Sequence, residues 1–153
     1  MGALDLSLTD GEMDAFLRDQ RTVRVATADE AGEPHVVPLW FVWLDGAMFL
    51  NSTLGNVTVE NMLRAERATV VVDDGEEYER LRGVTMHGRV RQANDDPRRP
   101  EAERLWSEKY MGGGEVPYSR WKSRTWLRLD PDRIASWDFR KIPEAKARAR
   151  GEA

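Results

Sequence analysis

Cysteine is absent from the sequence. A disulfide framework, a thiolate nucleophile and a cysteine-ligated metal are therefore excluded, and the composition agrees with a cytoplasmic protein. The two histidines, His35 and His87, are too few for a convincing metal site, so no metal is predicted. No apolar run approaches the roughly 20 residues that a membrane span needs, and the N-terminus lacks a signal-type apolar core. We therefore expect no membrane association.

A strongly basic face is missing as well. Lys and Arg total 23 against 27 Asp and Glu, which gives a formal net charge of -4. Because nucleic-acid binding needs a concentrated basic surface, that role is disfavoured. The 153 residues fit one domain. We expect it to span residues 1–143, followed by a flexible tail over residues 144–153 that is rich in Ala, Arg, Lys, Glu and Gly.

The most informative stretch runs from Val23 to Asn61 and reads as three strands that lead into a helix. The predicted strands are one that begins at Val23 and breaks at Asp29, one from His35 to Leu44, and one from Ala47 to Asn51. Asp45-Gly46 between the second and third strands is a strong hairpin signal. The chain is therefore predicted to begin its sheet as an antiparallel meander.

The junction after the third strand, residues 52–58, consists mainly of small and hydroxyl-bearing residues. A strand that turns into a helix here leaves unpaired backbone N–H groups and a partial positive charge, which suit a phosphate. Ser, Thr and Asn also cap helices for purely structural reasons. The residues alone therefore leave both helix capping and anion binding open.

The remaining elements follow from capping and periodicity. Thr9 and Glu12 predict a capping box at the start of the first helix, with Leu8 stapled to Met13. The later predictions are a second helix over residues 58–67, strands over 68–73 and 81–92, a third helix after Pro97–Pro100 that stops at Gly112–Gly114, and final strands over 124–129 and 133–139. The three glycines are interpreted as a linker, with closure over a substrate as the alternative.

The second strand is apolar on both faces from Val36 to Leu44. Since an ordinary sheet keeps one face wet, both faces must be covered here. A closed barrel on one side and a partner subunit or planar ligand on the other would achieve this. Pro38 cannot donate a ladder hydrogen bond and predicts an edge or a split. Trp40 is either core or interface, or it borders the ring of a cofactor.

Four strings, read in order, resemble the split β-barrel flavin and deazaflavin oxidoreductases, the group that includes pyridoxamine 5'-phosphate oxidase-like proteins. The strings are VATADEAGEPHVVPLWF, VENMLRAERATVVVDDG, YERLRGVTMHGRV and SWDFRK, which cover most of residues 20–141. Their order carries the resemblance. They are most similar to the actinobacterial branch that binds the deazaflavin coenzyme F-420.

The resemblance implies a mostly β fold with flanking helices (α+β), a six- to seven-stranded antiparallel split β-barrel of the FMN-binding type. It implies a homodimer with cofactor sites at the subunit interface, and an F-420-dependent oxidoreductase that transfers hydride to a small electron-poor acceptor. A non-catalytic carrier or sensor of a deazaflavin, haem-like or other planar ligand is the second hypothesis, and an FMN-dependent enzyme is the third.

The resemblance also implies a set of cofactor-binding residues: Pro38, Trp40, Asn51, Ser52, Thr53, Asn56, Val57, Thr58, Asn61, Arg64, Trp137, Arg140 and Lys141. Relatives commonly carry a basic residue where this chain has Thr58, and a lost charge-assisted contact costs about 1.5 to 3 kcal/mol. Arg64, Arg140 or Lys141 could supply the missing charge. No catalytic residue is identified; Tyr78 is a candidate proton donor, with simple packing as the alternative.

Overall fold

The structure is a computed structural model that describes residues 3–117, 120 and 123–151. The elements are, in chain order, α1 (Asp10–Asp19), β1 (Thr22–Ala28), β2 (Pro34–Leu44), β3 (Ala47–Thr53), α2 (Val57–Ala65), β4 (Arg67–Asp74), β5 (Arg82–Gln92), α3 (Arg99–Met111), β6 (Arg124–Asp138) and α4 (Ile142–Ala149). Short 3-10 helices cover Tyr78–Arg80 and Phe139–Lys141.

The strands of the described residues form a closed antiparallel barrel in the order β1-β2-β3-β6-β5-β4. The described part of the chain thus contains six strands and four flanking α-helices. The predicted split-barrel fold of the α+β class is confirmed. Among these described helices none is long and apolar enough to cross a lipid bilayer.

Local signals set several of the element boundaries. The capping box is present: the Glu12 N–H donates to Thr9 Oγ1 at 3.2 Å, and the Thr9 N–H donates to Glu12 Oε2 at 2.8 Å. Asp45 and Gly46 both have positive φ angles, 49° and 77°, as the tight β2–β3 hairpin turn requires. Asn56 caps α2, because the Val59 N–H donates to its Oδ1 at 2.8 Å.

The prediction of two final strands was wrong, because β6 runs unbroken through Asp130-Pro131-Asp132. Pairing with β5 places His87 opposite Arg133 and Gly88 opposite Pro131, so Asp132 is the extra residue of a bulge. A Cβ on Gly88 would lie 2.5 Å from the Asp130 carbonyl oxygen, so only glycine fits this close approach. The turn residues therefore bend a strand and do not end it.

The C-terminal segment also differs from the prediction. We expected a flexible tail from residue 144, and the structure has helix α4 through Ala149. Pro143 lies in its first turn, where proline is favourable, and the following Ala, Lys, Glu and Arg residues are good helix formers. Arg148 pairs with Glu144 one turn earlier at 3.4 Å. The composition that suggested a tail is equally a helical composition.

Two apolar clusters explain why β2 and β3 are apolar on both faces. Side chains that alternate along the strands point either into the barrel or outward against α3. The barrel interior includes Phe41, Met48 and Leu50, and the outer cluster includes Val42, Phe49, Ala102, Trp106 and Trp126. Helix α3 therefore covers the outer face of this part of the barrel.

Asp96 fixes the start of α3 against β5 and β6. Its buried carboxylate accepts hydrogen bonds from Arg91 at 2.6 Å, from Arg128 at 3.2 Å and from the Arg98 N–H at 2.8 Å. Burial opposes the charged form, but these donors outweigh it and hold the pKa of Asp96 below its usual value. The loop that positions α3 is thus held by a buried charge with a full set of donors.

The barrel is split between β2 and β3. Their pairing extends from Leu44–Ala47 only to Phe41–Leu50, so among the described residues the segment from Pro34 to Trp40 pairs with β1 alone. Pro38 lies in this segment, which confirms the prediction of an edge or a split. Val36 is 60% exposed and Trp40 is 43% exposed in the protomer. The split therefore presents an apolar strip.

Candidate functional site

A crevice opens on the outer face of the barrel at this split. Its volume is about 540 Å³. The walls include Pro38 and Trp40 of β2, Asn51 of β3, Arg124 of β6, and Trp106 and Met111 of α3. We call this the split crevice. Three of the predicted cofactor-binding residues, Pro38, Trp40 and Asn51, meet there.

Trp40 presents a fixed aromatic face at the rim of the split crevice. Its ring stacks on Tyr110 with centroids 4.3 Å apart and an interplanar angle of 6°. Trp106 makes an edge contact with Trp40: the ring centroids are 6.0 Å apart and the interplanar angle is 60°. Because one face of Trp40 is held by Tyr110, its orientation is set before any ligand binds.

The Tyr110 hydroxyl holds the strand at the point where β2 leaves β3. It accepts a hydrogen bond from the Phe41 N–H at 3.0 Å and lies 2.7 Å from the carbonyl oxygens of Arg21 and Phe41. Burial raises the pKa of Tyr110 to about 12, so the phenol stays neutral and can donate. The contacts of Tyr110 join elements that are distant along the chain, so the sequence does not indicate this role.

Lys109 supports the same corner from the other side. Its Nζ donates to the carbonyl oxygens of Leu17 at 3.3 Å and Phe41 at 3.2 Å, and lies 4.0 Å from the Phe41 ring centroid. Burial lowers the pKa of Lys109 to about 8, and the charge of Arg21 acts in the same direction. Sequence analysis did not identify this residue, since only the fold brings α1, β2 and α3 together.

Two buried polar atoms belong to side chains that line the split crevice. In the part of the chain that the structure describes, Asn51 Oδ1 and Trp106 Nε1 have no hydrogen bond partner. Asn51 is 4% exposed and Trp106 is 3% exposed. Because buried polar groups in native proteins are nearly always paired, this acceptor and this donor point to a polar ligand.

The junction from Ser52 to Thr58 follows directly on Asn51 along the chain. Asn56 Nδ2 donates to Ser52 Oγ at 3.1 Å, and Thr53 is exposed. The first turn of α2 leaves the N–H groups of Val57 and Thr58 without an acceptor inside the helix. These main-chain donors keep the junction suited to an anion, while Asn56 performs the capping.

Thr58 and Asn61, both predicted to bind the cofactor, are buried and engaged within the protomer. Thr58 Oγ1 shares a hydrogen bond with His35 Nε2 at 3.2 Å. Asn61 Nδ2 donates to Thr27 Oγ1 at 3.1 Å. At the position where the resemblance implies a basic side chain, the structure therefore has a hydrogen bond between α2 and β2.

The basic residues expected to replace that charge make other contacts. Arg64 donates to Asn61 Oδ1 at 2.9 Å and to the Ala28 carbonyl oxygen. Arg140 pairs with Asp138 at 2.6 Å and lowers the pKa of that carboxyl. Lys141 donates to the Ser7 carbonyl oxygen at 2.7 Å and to Glu12 at 2.6 Å. None of these contacts is with the junction.

Arg124 is the basic residue that sequence analysis did not assign. It lines the split crevice, donates to the Asn51 carbonyl oxygen at 3.4 Å and lies opposite Thr53 in the β3–β6 ladder. In the sequence Arg124 is only the first residue of a predicted strand. The pairing of β3 with β6, which are far apart in the chain, brings its charge beside the junction.

Trp137 and Tyr78 lie on other parts of the barrel surface. Trp137 is opposite Gly83 in the β5–β6 ladder, and a Cβ on Gly83 would lie 2.4 Å from its ring. Tyr78 is 69% exposed and its ring centroid is 5.0 Å from that of Phe139. Within the described residues, no group of three or more His, Asp or Glu side chains could hold a metal ion.

The sequence profile of the pyridoxamine 5'-phosphate oxidase family matches residues 9–138 of this chain. The chain belongs to the pyridoxamine 5'-phosphate oxidase family. The match spans α1 and every strand of the described barrel, and it ends before α4. A comparison with curated protein sequences found no match.

Solved structures share the fold. A conserved hypothetical protein from Mycobacterium tuberculosis superposes with a TM-score of 0.80 at 24% identity, over 94% of this chain and 92% of that one. An FAD and heme binding protein from Mycobacterium smegmatis has a TM-score of 0.70 at 17% identity, over 86% and 72%. An FAD-binding protein from Mesorhizobium loti has a TM-score of 0.65 at 24% identity, over 85% and 94%. At these identities the likeness concerns the fold.

Proposed function

We propose that this member of the family is an oxidoreductase that uses the deazaflavin coenzyme F-420 and reduces a small electron-poor acceptor. The observation that carries the proposal is the split crevice. It combines the fixed face of Trp40 with two buried polar atoms that have no hydrogen-bond partner among the described residues, Asn51 Oδ1 and Trp106 Nε1. The junction of residues 52–58, which is suited to an anion, follows directly on Asn51. Flavin-type binding is supported by the FAD-binding proteins with the same fold. The choice of F-420 rests on the strings YERLRG and SWDFRK, which resemble the deazaflavin branch.

A bound deazaflavin supplies hydride transfer, and the protein orients the ring and excludes water. In this role Trp40 contacts the ring face, and Tyr110 holds Trp40 in place through its stacking contact of 4.3 Å. The main-chain donors at the start of α2, Thr53 and Arg124 hold the phosphate. Hydride transfer therefore requires no acid–base dyad from the protein, because the cofactor itself carries out the reaction.

A homodimer is part of the proposal. Val36 and Trp40 are exposed apolar side chains on the unpaired edge of β2, and Val57 at the start of α2 is exposed too. Exposed apolar side chains at a strand edge favour association with a second copy. A second protomer would cover this strip and enclose the crevice. Trp137, Arg140 and Lys141 would contribute to the site only across such an interface.

The experiment is a titration of the purified protein with F-420 and FMN, followed by fluorescence polarisation, together with its molar mass in solution. The proposal predicts tight binding of F-420, weak binding of FMN and the mass of a dimer. It also predicts that reduced F-420 is oxidised by electron-poor acceptors when the protein is present. Tight FMN binding without F-420 binding would favour the FMN-dependent enzyme instead.

A non-catalytic carrier or sensor of a planar ligand is the second candidate. The hydrogen bond between Thr58 and His35 favours it, because that contact occupies the place of a phosphate-binding cation. A structure with the same fold is described as binding both FAD and heme. The carrier predicts a Soret shift on titration with haem, or ligand binding without turnover. Turnover of reduced F-420 would rule it out.

A further inference from the structure

The unpaired acceptor and donor stand on the same side of the barrel wall. Phe49, two residues before Asn51, packs in the outer cluster, so the alternation of β3 directs Asn51 outward as well. Across the β3–β6 ladder Asn51 lies opposite Trp126. The Trp126 ring is 5.4 Å from that of Trp106, which faces Trp40. Asn51 and Trp106 thus both border the space in front of Trp40.

The amide oxygen of the Asn51 side chain has no structural partner among the described residues. Arg124 donates a hydrogen bond to the main-chain oxygen of Asn51 and not to its side chain. Asn51 Oδ1 therefore accepts no hydrogen bond from the described residues. An asparagine kept for structure satisfies its amide, as Asn94 does: its Oδ1 accepts from the Trp126 N–H at 2.9 Å and its Nδ2 donates to Thr125 at 3.1 Å. Unpaired buried groups lower stability and are typical of ligand sites.

We propose that Asn51 and Trp106 recognise the imide edge of the bound ring, a step that rests on the function proposed above. Flavin and deazaflavin rings carry one N–H between two carbonyl groups. Asn51 Oδ1 accepts the hydrogen bond of this N–H, and Trp106 Nε1 donates to a neighbouring carbonyl. Haem has no such edge. The aromatic face of Trp40 alone would accept either kind of ring. Asn51 and Trp106 therefore select flavin-type rings over tetrapyrroles.

The test compares the nucleoside core of F-420 with the same compound methylated at its imide nitrogen. In the wild-type protein methylation removes the donor and leaves Asn51 unpaired, so the dissociation constant rises about tenfold. In Asn51→Leu the acceptor is gone, and the two compounds bind within about twofold of each other. A matched control, Asn94→Leu, keeps the tenfold preference because Asn94 is outside the crevice lining.

A stability measurement separates recognition from a structural role. Asn51→Leu replaces an unpaired acceptor by an apolar group, so the urea midpoint of the free protein stays the same or rises, whereas Asn94→Leu loses satisfied hydrogen bonds and lowers it. Equal binding of the methylated and unmethylated compounds by the wild type overturns the inference and leaves the cofactor proposal standing. If neither compound nor F-420 binds, both proposals are wrong.

Discussion

The hydroxyl group of Tyr110 is predicted to stabilise the split corner of the barrel, and Tyr110→Phe removes it alone. The hydroxyl accepts from the Phe41 N–H, and its single proton serves one of two carbonyl oxygens at 2.7 Å. Losing two hydrogen bonds and leaving their partners poorly solvated costs about 2–3 kcal/mol. For a chain of this length that corresponds to a fall in melting temperature of about 4–12 °C.

The assay is urea unfolding followed by circular dichroism, at one protein concentration, because association would make stability depend on concentration. Tyr78→Phe is the matched control: it makes the same chemical change at an exposed ring and should alter the free energy of unfolding by less than about 0.5 kcal/mol. Affinity for F-420 should change little in Tyr110→Phe, because the ring that stacks on Trp40 remains. Equal stability of the two variants would refute the role given to this hydroxyl.

Three further predictions concern residues that stabilise the barrel and its contacts with α3. Gly83→Ala places a Cβ 2.4 Å from the Trp137 ring and should lower the free energy of unfolding by about 1–3 kcal/mol in urea titrations. Asp96→Asn should cost about 1–3 kcal/mol, since Arg91 and Arg128 lose one charged partner and keep Asp130 as the other. The pKa of Asp96 is lowered on folding, so its stabilising contribution is present above its usual value of 3.8 and is lost as the pH falls below it. For Lys109, folding lowers the pKa from 10.5 to about 8, so the unfolded chain binds more protons between these values. Wild type should therefore gain stability relative to Lys109→Met as the pH rises from 8 to 10.5, measured by unfolding at each pH.

The sequence predicts elements whose signals are local. The capping box at Thr9 and the turn at Asp45-Gly46 depend on residues within one turn of the chain, and both are confirmed. The break expected at Pro131 was wrong, because pairing with β5 carries the strand through these turn residues. A tertiary ladder thus overrode a local signal.

The same distinction holds for the candidate site. Pro38, Trp40 and Asn51 could be predicted to meet, since they belong to neighbouring strands of one meander. The contributions of Trp106 and Arg124 could not, because α3 and β6 reach the crevice only through the closure of the barrel. Long side chains are harder still: helical spacing makes Arg64 and Asn61 neighbours, but nothing in the sequence indicates that Arg64 also reaches the Ala28 carbonyl oxygen.

The central claim is that the ring of the cofactor lies on Trp40 in the split crevice. The most direct test is the dissociation constant of F-420 for wild type, Trp40→Phe and Trp40→Leu. Loss of one aromatic stacking contact costs about 1–3 kcal/mol, so Trp40→Leu should bind about 5- to 150-fold more weakly, while Trp40→Phe keeps most of the affinity. Three equal dissociation constants would contradict the account.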